Sequence, residues 1–145
     1  MRDPDEMNMT KAMERALREE KTPTELIARL PDITLRGYLL QLMGKRAIST
    51  DALAQLAALN RSSLYKILNG TTKHPQRNIL IRLALVLSLS FDETQELLRR
   101  GGRATLSGNR ARDTVISHGI IKHRSIEDVN EHLRAHYFDS LYEKD

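Results

Sequence analysis

Apolar residues recur along this chain at intervals of three and four residues, the period of an amphipathic α-helix. The clearest stripe follows Asp32 and Thr34, either of which is a suitable N-cap. Its apolar positions fall at i, i+3, i+4, i+7 and i+8, and they are Leu35, Tyr38, Leu39, Leu42 and Met43. We expect these side chains to lie on the buried face of one helix.

Residues 49–70 (STDALAQLAALNRSSLYKILNG) predict two short helices joined by a turn. Ser49 caps the first helix, which carries Leu53, Ala54, Leu56 and Ala57, and Asn60 caps the second. Leu64, Ile67 and Leu68 are expected to point inward, and Asn69-Gly70 to end the second helix. Its outward residues are then Arg61, Ser62, Ser63, Tyr65, Lys66 and Asn69. None is acidic, so this face suits contact with base edges and phosphates.

Two further helices are predicted after this pair. Residues 76–89 are apolar nearly all round, so this helix should form the buried centre. Ser90 and Glu93 form a capping box for the next helix, whose core residues are Phe91, Leu97 and Leu98. The run Arg99-Arg100-Gly101 ends it, with cations at the C-terminus and a following glycine.

Helical patterns also flank this region on the N-terminal side. Residues 9–17 place Met9, Met13, Ala16 and Leu17 on one face. Thr22 and Glu25 form a capping box for a second short helix carrying Leu26, Ile27 and Leu30. These helices are either an arm for dimerisation or partner binding, or extra core that packs on the rest of the chain.

On the C-terminal side, residues 109–118 predict a helix with Ala111, Val115 and Ile116 inward, ended by Gly119. Residues 125–136 predict another, with Ser125 and Asp128 resembling a capping box and with Ile126, Val129 and Leu133 inward. This hairpin is either a packing extension, or a dimer surface or ligand-sensing element.

Charge is distributed unevenly along the chain, whose net charge is +4. Residues 33–108 hold 11 basic and 4 acidic side chains, residues 1–32 hold 6 and 8, and residues 109–145 hold 6 and 7. The positive excess therefore lies in the region that contains the paired helices. Because phosphate neutralisation provides most non-specific affinity for DNA, this distribution favours a nucleic-acid partner.

Residues 33–100 resemble the phage-repressor and Cro-type helix-turn-helix DNA-binding family, most closely at Ala54, Arg61-Ser62, Ile67, Gly70 and Pro75. Thr50 and Ala58 depart from it, since the family often has Gln and Gly there. The resemblance implies an all-α fold with a five-helix module at residues 33–103, between an N-terminal helical arm (1–32) and a C-terminal helical extension (104–145). The second motif helix of this family enters the major groove.

The resemblance also implies roles for individual residues. Arg61, Ser62 and Lys66 occupy the base-reading positions, assisted by Ser63 and Tyr65, although Tyr65 is equally suited to packing against a neighbouring helix. The residues expected to hold phosphates are Thr50, Asn69, Thr72, Lys73 and Arg77. Lys45 and Arg46, in the connection before the motif, are either further phosphate contacts or a solvated turn.

We therefore expect a DNA-binding transcriptional regulator of a bacterial or phage type, acting in the cytoplasm as a homodimer on double-stranded DNA. The alternative is a helical protein-interaction module, adaptor or antitoxin-like, that docks a partner through residues 9–30 or 109–137. No glycine-rich phosphate loop or nucleophile motif is present, so neither enzyme activity nor a cofactor is expected. The sequence also contains no segment that predicts a membrane span. His132 and His136 have metal-ligand spacing but no Cys or carboxylate partners, so no metal site is expected.

Overall fold

The computed structural model describes residues 34–145 and positions 11, 12, 14, 15, 18, 19 and 22. Contacts within the chain divide it into two units, residues 1–32 and residues 33–145. In the first unit, the described positions 11, 12, 14, 15 and 18 are helical. Arg18 pairs with Glu14, one helical turn earlier, at 2.7 Å. The apolar face predicted for residues 9–17 and the second helix of the arm lie outside the described residues.

Residues 34–145 form seven helices, and this part of the chain contains no strand, which confirms the all-α prediction for it. The longest has 12 residues and is about 18 Å long, whereas a bilayer core is about 30 Å thick. No described helix is long and apolar enough to cross a membrane. The helices are α1 (Leu35–Arg46), α2 (Thr50–Leu56), α3 (Arg61–Leu68), α4 (Arg77–Val86), α5 (Phe91–Arg100), α6 (Ala111–Ile121) and α7 (Ile126–Ala135).

Short polar side chains start five of these helices. Thr34, Ser49, Asn60, Ser90 and Ser125 each accept a hydrogen bond from a backbone amide in the first turn of the helix that follows. At α5 the capping box is reciprocal, because the side chain of the third helical residue also accepts from the amide of the cap. These contacts satisfy amides that a helix leaves unpaired at its N-terminus, and they confirm the predicted caps.

The apolar helix α4 lies at the centre of the second unit. Its residues Leu80, Ile81, Leu83 and Ala84 are fully buried, and it packs against α2, α5, α6 and α7. Helix α1 packs against α3 and α5 and buries Leu35, Leu39, Leu42 and Met43, the stripe that the spacing predicts. The central position predicted for residues 76–89 is therefore confirmed.

Helices α6 and α7 complete this core. Leu106, Ile116, Ile120, Val129 and Leu133 are buried and belong to the same hydrophobic cluster as the residues of α1 to α5. The C-terminal hairpin thus packs on the preceding helices, as the packing interpretation expects.

Three local predictions are wrong. Gly119 does not end α6 but lies inside it, where a Cβ would stand 2.4 Å from Cγ2 of Val129, so glycine allows α6 and α7 to approach closely. Ala111, predicted to face inward, is exposed at the start of that helix. Lys45 and Arg46 do not lie in a connecting loop, because α1 continues through both, and their cations lie at its C-terminus.

An ion pair between α4 and α6 ties the hairpin to the centre. Nη1 and Nη2 of Arg77 donate to the two carboxylate oxygens of Asp113 at 2.9 Å, and only 16% of the Arg77 side chain and 4% of the Asp113 side chain are exposed. Burial by itself raises the pKa of Asp113, but hydrogen bonds from Arg77 and from the Ser107 amide outweigh it. The pKa of Asp113 is therefore below its usual value.

Replacing Asp113 by Asn should lower the free energy of unfolding at pH 7 by about 3 kcal/mol, because Arg77 keeps a partly buried charge without its partner. The carboxylate has a lower pKa in the folded chain, so its contribution is complete above about pH 4, the ordinary Asp value, and is lost as pH falls through the folded pKa. Urea denaturation at pH 7 and pH 3 measures both effects. Exposed Glu131→Gln is the control, and an equal, small effect of both variants at pH 7 would contradict the prediction.

Candidate nucleic-acid interface

Helix α3 rests on the core by one face only. Leu64, Ile67 and Leu68 are buried, as predicted, and they meet the buried face of α2 and the side of α1. From α2, Leu53 and Ala54 are buried as well. The apolar contact of these residues fixes the angle at which α3 leaves the turn, and it determines which side of α3 faces outward.

The outward side of α3 carries the polar residues that the spacing places there. All are exposed, and no residue of α3 is acidic. Tyr65 keeps 43% of its surface exposed, so it is only partly covered by neighbouring residues. The exposed residues are Arg61, Ser62, Ser63, Tyr65, Lys66 and Asn69.

Asn60 organises the beginning of this face. Its Oδ1 accepts hydrogen bonds from both the backbone amide and the hydroxyl of Ser62, each at 2.9 Å. Because the hydroxyl proton of Ser62 is used in this contact, the oxygen lone pairs remain as acceptors. Ser62 is therefore suited to an amino group at a base edge, such as N6 of adenine or N4 of cytosine.

Arg61 is held by two neighbouring side chains. Its Nε lies 2.9 Å from Oδ1 of Asp51 in α2, and its guanidinium carbon lies 5.5 Å from the centre of the Tyr65 ring. The side-chain hydrogen bond with Tyr65 and the charge of Asp51 raise the pKa of Arg61 above its usual value. Asp51 was not among the predicted site residues, because its proximity to Arg61 depends on how α2 crosses α3.

The end of α3 is closed by hydrogen bonds to backbone groups. Oδ1 of Asn69 accepts from the Thr71 amide, and the carbonyl of Lys66 accepts from the Thr72 amide, both at 2.9 Å. Nε of Arg36 in α1 donates to the carbonyl of Leu68 at 2.7 Å. This role of Arg36 was not predicted, because nothing in its position between Leu35 and Tyr38 of the core stripe indicated it.

The loop after α3 is held by Arg103, which follows α5 in the chain. Its Nε donates to the carbonyl of Pro75 at 2.8 Å and its Nη2 to that of His74 at 2.9 Å. Gly102 adopts φ +71°, and a Cβ there would lie 2.6 Å from Nδ1 of His74. Exposed Lys73 is therefore carried by a loop with a defined backbone.

The remaining two predicted phosphate ligands differ in position. Thr50 is the first residue of α2 and is partly exposed, so it lies at the start of the motif. Arg77 instead faces Asp113 and donates to the carbonyls of Ala104 and Thr105. A carboxylate in a partly buried site binds the guanidinium more strongly than solvent does. The guanidinium of Arg77 is therefore engaged within the protein, and Arg77 is not among the proposed phosphate contacts.

The C-terminal histidines surround a different feature. His118, His132 and His136 line an apolar cavity of about 240 Å³ between α6 and α7. Nδ1 of His132 and of His136 each donate to the carbonyl four residues earlier at 2.8 Å, an ordinary local contact. In the described part of the chain, no three ligating side chains are grouped so that they could hold a metal ion.

Comparison with protein families agrees with this geometry. Residues 38–97 match the family model of the Cro/C1-type HTH DNA-binding domain. The match extends from α1 to α5, includes the whole α2–turn–α3 unit and confirms the resemblance seen in the sequence. No curated protein and no solved structure matches the chain.

The turn between α2 and α3 provides a test of this geometry. Ala58 adopts φ +54°, a left-handed conformation that costs an L residue about 1 kcal/mol and costs glycine nothing. Ala58→Gly should therefore raise the melting temperature by about 3–5 °C. The matched control is Ala52→Gly inside α2, which should lower it by a similar amount. Calorimetry on both variants measures the shifts, and shifts of the same sign would contradict the assigned turn.

Proposed function

We propose that this chain is a sequence-specific transcriptional regulator that reads the major groove with α3, because residues 38–97 match the family model of the Cro/C1-type HTH DNA-binding domain. The observation that supports this most strongly is the division of α3 into two faces. One face is buried, whereas the other is exposed, is free of acidic residues and carries Arg61 and Lys66.

The exposed residues divide naturally between base and phosphate contacts. Arg61, Ser62 and Lys66 would contact base edges, and Ser63 and Tyr65 would add contacts to a phosphate or a thymine methyl group. Phosphates would be held on both sides of the groove by residues at the start of α2 and after α3. That set is Thr50, Asn69, Thr72 and Lys73.

A homodimer is part of the proposal, because one module reads only a few base pairs and two half-sites about one helical turn apart give a longer operator. Residues 109–137 offer a surface for a second copy. In this segment Ile121 is 58% exposed and Tyr137 is 98% exposed, and large apolar side chains that stand free in one chain are often covered in an assembly.

The same exposed residues support the alternative function, a helical module that docks a different protein. Leu56 on the outer side of α2 is also 61% exposed, next to the proposed reading helix. Charge reversal on α3 distinguishes the two functions, because it should affect DNA binding but not the binding of a partner protein through residues 109–137. A DNA reader loses its ligand, whereas a docking module that uses residues 109–137 keeps its partner.

Reversing the charges of Arg61 and Lys66 to Glu should weaken DNA binding at least about 100-fold, because two base-reading donors are lost and two positive charges in the groove become negative charges that the phosphates repel. Both side chains are exposed, so circular dichroism should show an unchanged fold. Fluorescence anisotropy with a random duplex pool over a salt series measures the affinity, and sequencing of the retained fraction gives the motif.

The control for this prediction is Arg99→Glu with Lys144→Glu, which changes the net charge equally on exposed residues outside both the matched domain and residues 109–137. We expect it to bind DNA almost as the unmodified chain does. Equal losses in both double variants would show that net charge alone drives binding. Failure of the unmodified chain to bind at low salt would exclude the DNA-binding function, and an enriched two-fold motif would support the homodimer.

A further inference from the structure

Two cations on the exposed face of α3 are chemically able to read guanine, and the structure distinguishes them. Arg61 lies in the first turn of α3, and Lys66 lies in the last. Recognition helices of helix-turn-helix proteins contact base edges mainly through their N-terminal residues. Arg61 also offers a planar fork of donors that matches O6 and N7 of guanine, whereas Lys66 offers a point charge on a flexible stem.

Asp51 restricts the directions in which this fork can point. Oδ1 of Asp51 lies 2.9 Å from Nε of Arg61, and the guanidinium carbon lies over the Tyr65 ring, 5.5 Å from its centre. The Asp51 contact is made at Nε and leaves Nη1 and Nη2 for other partners. These two nitrogens carry the parallel N–H groups that bind O6 and N7 as a pair.

The ion pair between Arg61 and Asp51 adds little to the stability of the fold. The two side chains are 69% and 59% exposed, and ion pairs at such exposure contribute little to folding. An acidic group beside the reading helix also weakens non-specific attraction to phosphates. A carboxylate at this place is therefore unfavourable for general DNA affinity. Apart from its favourable position in the first turn of α2, which Asp92 shares in α5, the effect left to it is to orient the arginine.

We propose that Asp51 is a positioning residue that presents Arg61 to a guanine in the major groove. Each half-site would then contain a G·C pair opposite the first turn of α3. This inference rests on the proposed DNA-binding function and adds to it a determinant of specificity outside α3. Because Asp51 is in α2, specificity at one base pair depends on two helices of the motif.

The test uses the full chain and the operator selected from the duplex pool, in which single guanines are replaced by 7-deazaguanine, which lacks N7. One guanine should be sensitive in the unmodified chain and insensitive in Arg61→Ala, and it identifies the base read by Arg61. At this guanine the replacement should weaken binding about 10-fold in the unmodified chain, and less than about 3-fold in Asp51→Ala. Asp51→Asn, which keeps an oxygen acceptor, should lie between the two.

Affinity for random duplex serves as the second readout. Asp51→Ala should leave it unchanged or raise it, since an acidic group is removed, whereas affinity for the operator should fall. The matched control is Asp92→Ala, which removes the second residue of α5, just as Asp51 is the second residue of α2. This control accounts for the loss of a first-turn carboxylate, and it should change neither affinity.

The proposal is overturned if Asp51→Ala raises the affinity for operator and random duplex by the same factor, since Asp51 would then only repel phosphates. It is also overturned if no guanine depends on Arg61. Absence of any DNA binding by the unmodified chain is a separate result, which rejects the proposed function before the role of Asp51 is reached.

Discussion

Burial of α4 is the constraint on which the rest of this structure depends. A helix in which Leu80, Ile81, Leu83 and Ala84 are all fully buried exposes little of its surface to water, so it needs neighbours on several sides. Helices α2, α5, α6 and α7 provide them. The position of α3 follows indirectly, since α3 packs on α2 and α1 and exposes only the side that these contacts leave free. The proposed reading surface is therefore held by the apolar interior rather than by its own interactions.

Much of the positive charge of residues 33–108 is used inside the protein. Arg77 pairs with Asp113, Arg82 is buried, and Arg100 pairs with Glu96 and lies over the Tyr38 ring. Arg36 and Arg103 donate to backbone carbonyls at the end of α3 and in the loop that follows. The cations that remain outward on α3 and in that loop are Arg61, Lys66 and Lys73. A count of charges therefore exaggerates the number available to phosphates, although it identifies the right region of the chain.

The outward face of α3 shows features expected of a prepared binding surface. Asn60 orients the Ser62 hydroxyl, and Arg61 contacts both Asp51 and Tyr65. Asn69 accepts a hydrogen bond from a backbone amide of the turn that follows α3. Side chains that are already oriented lose less conformational freedom on binding, so more of the contact energy appears as affinity or specificity. Asp51 shows the cost of this arrangement, since a carboxylate near DNA reduces non-specific attraction while it restricts an arginine.

The sequence by itself determined the features that depend on near neighbours. Caps at Thr34, Ser49, Asn60, Ser90 and Ser125, the buried stripes and the exposed face of α3 follow from spacing of three and four residues and from the local needs of helix ends. Only the tertiary structure decided which distant residues meet. The partners Arg77 and Asp113 are 36 residues apart, Arg61 and Asp51 belong to different helices, and Gly119 is required by Val129 of the next helix. Such contacts depend on how helices cross, which the packing of the whole core sets and no local pattern contains.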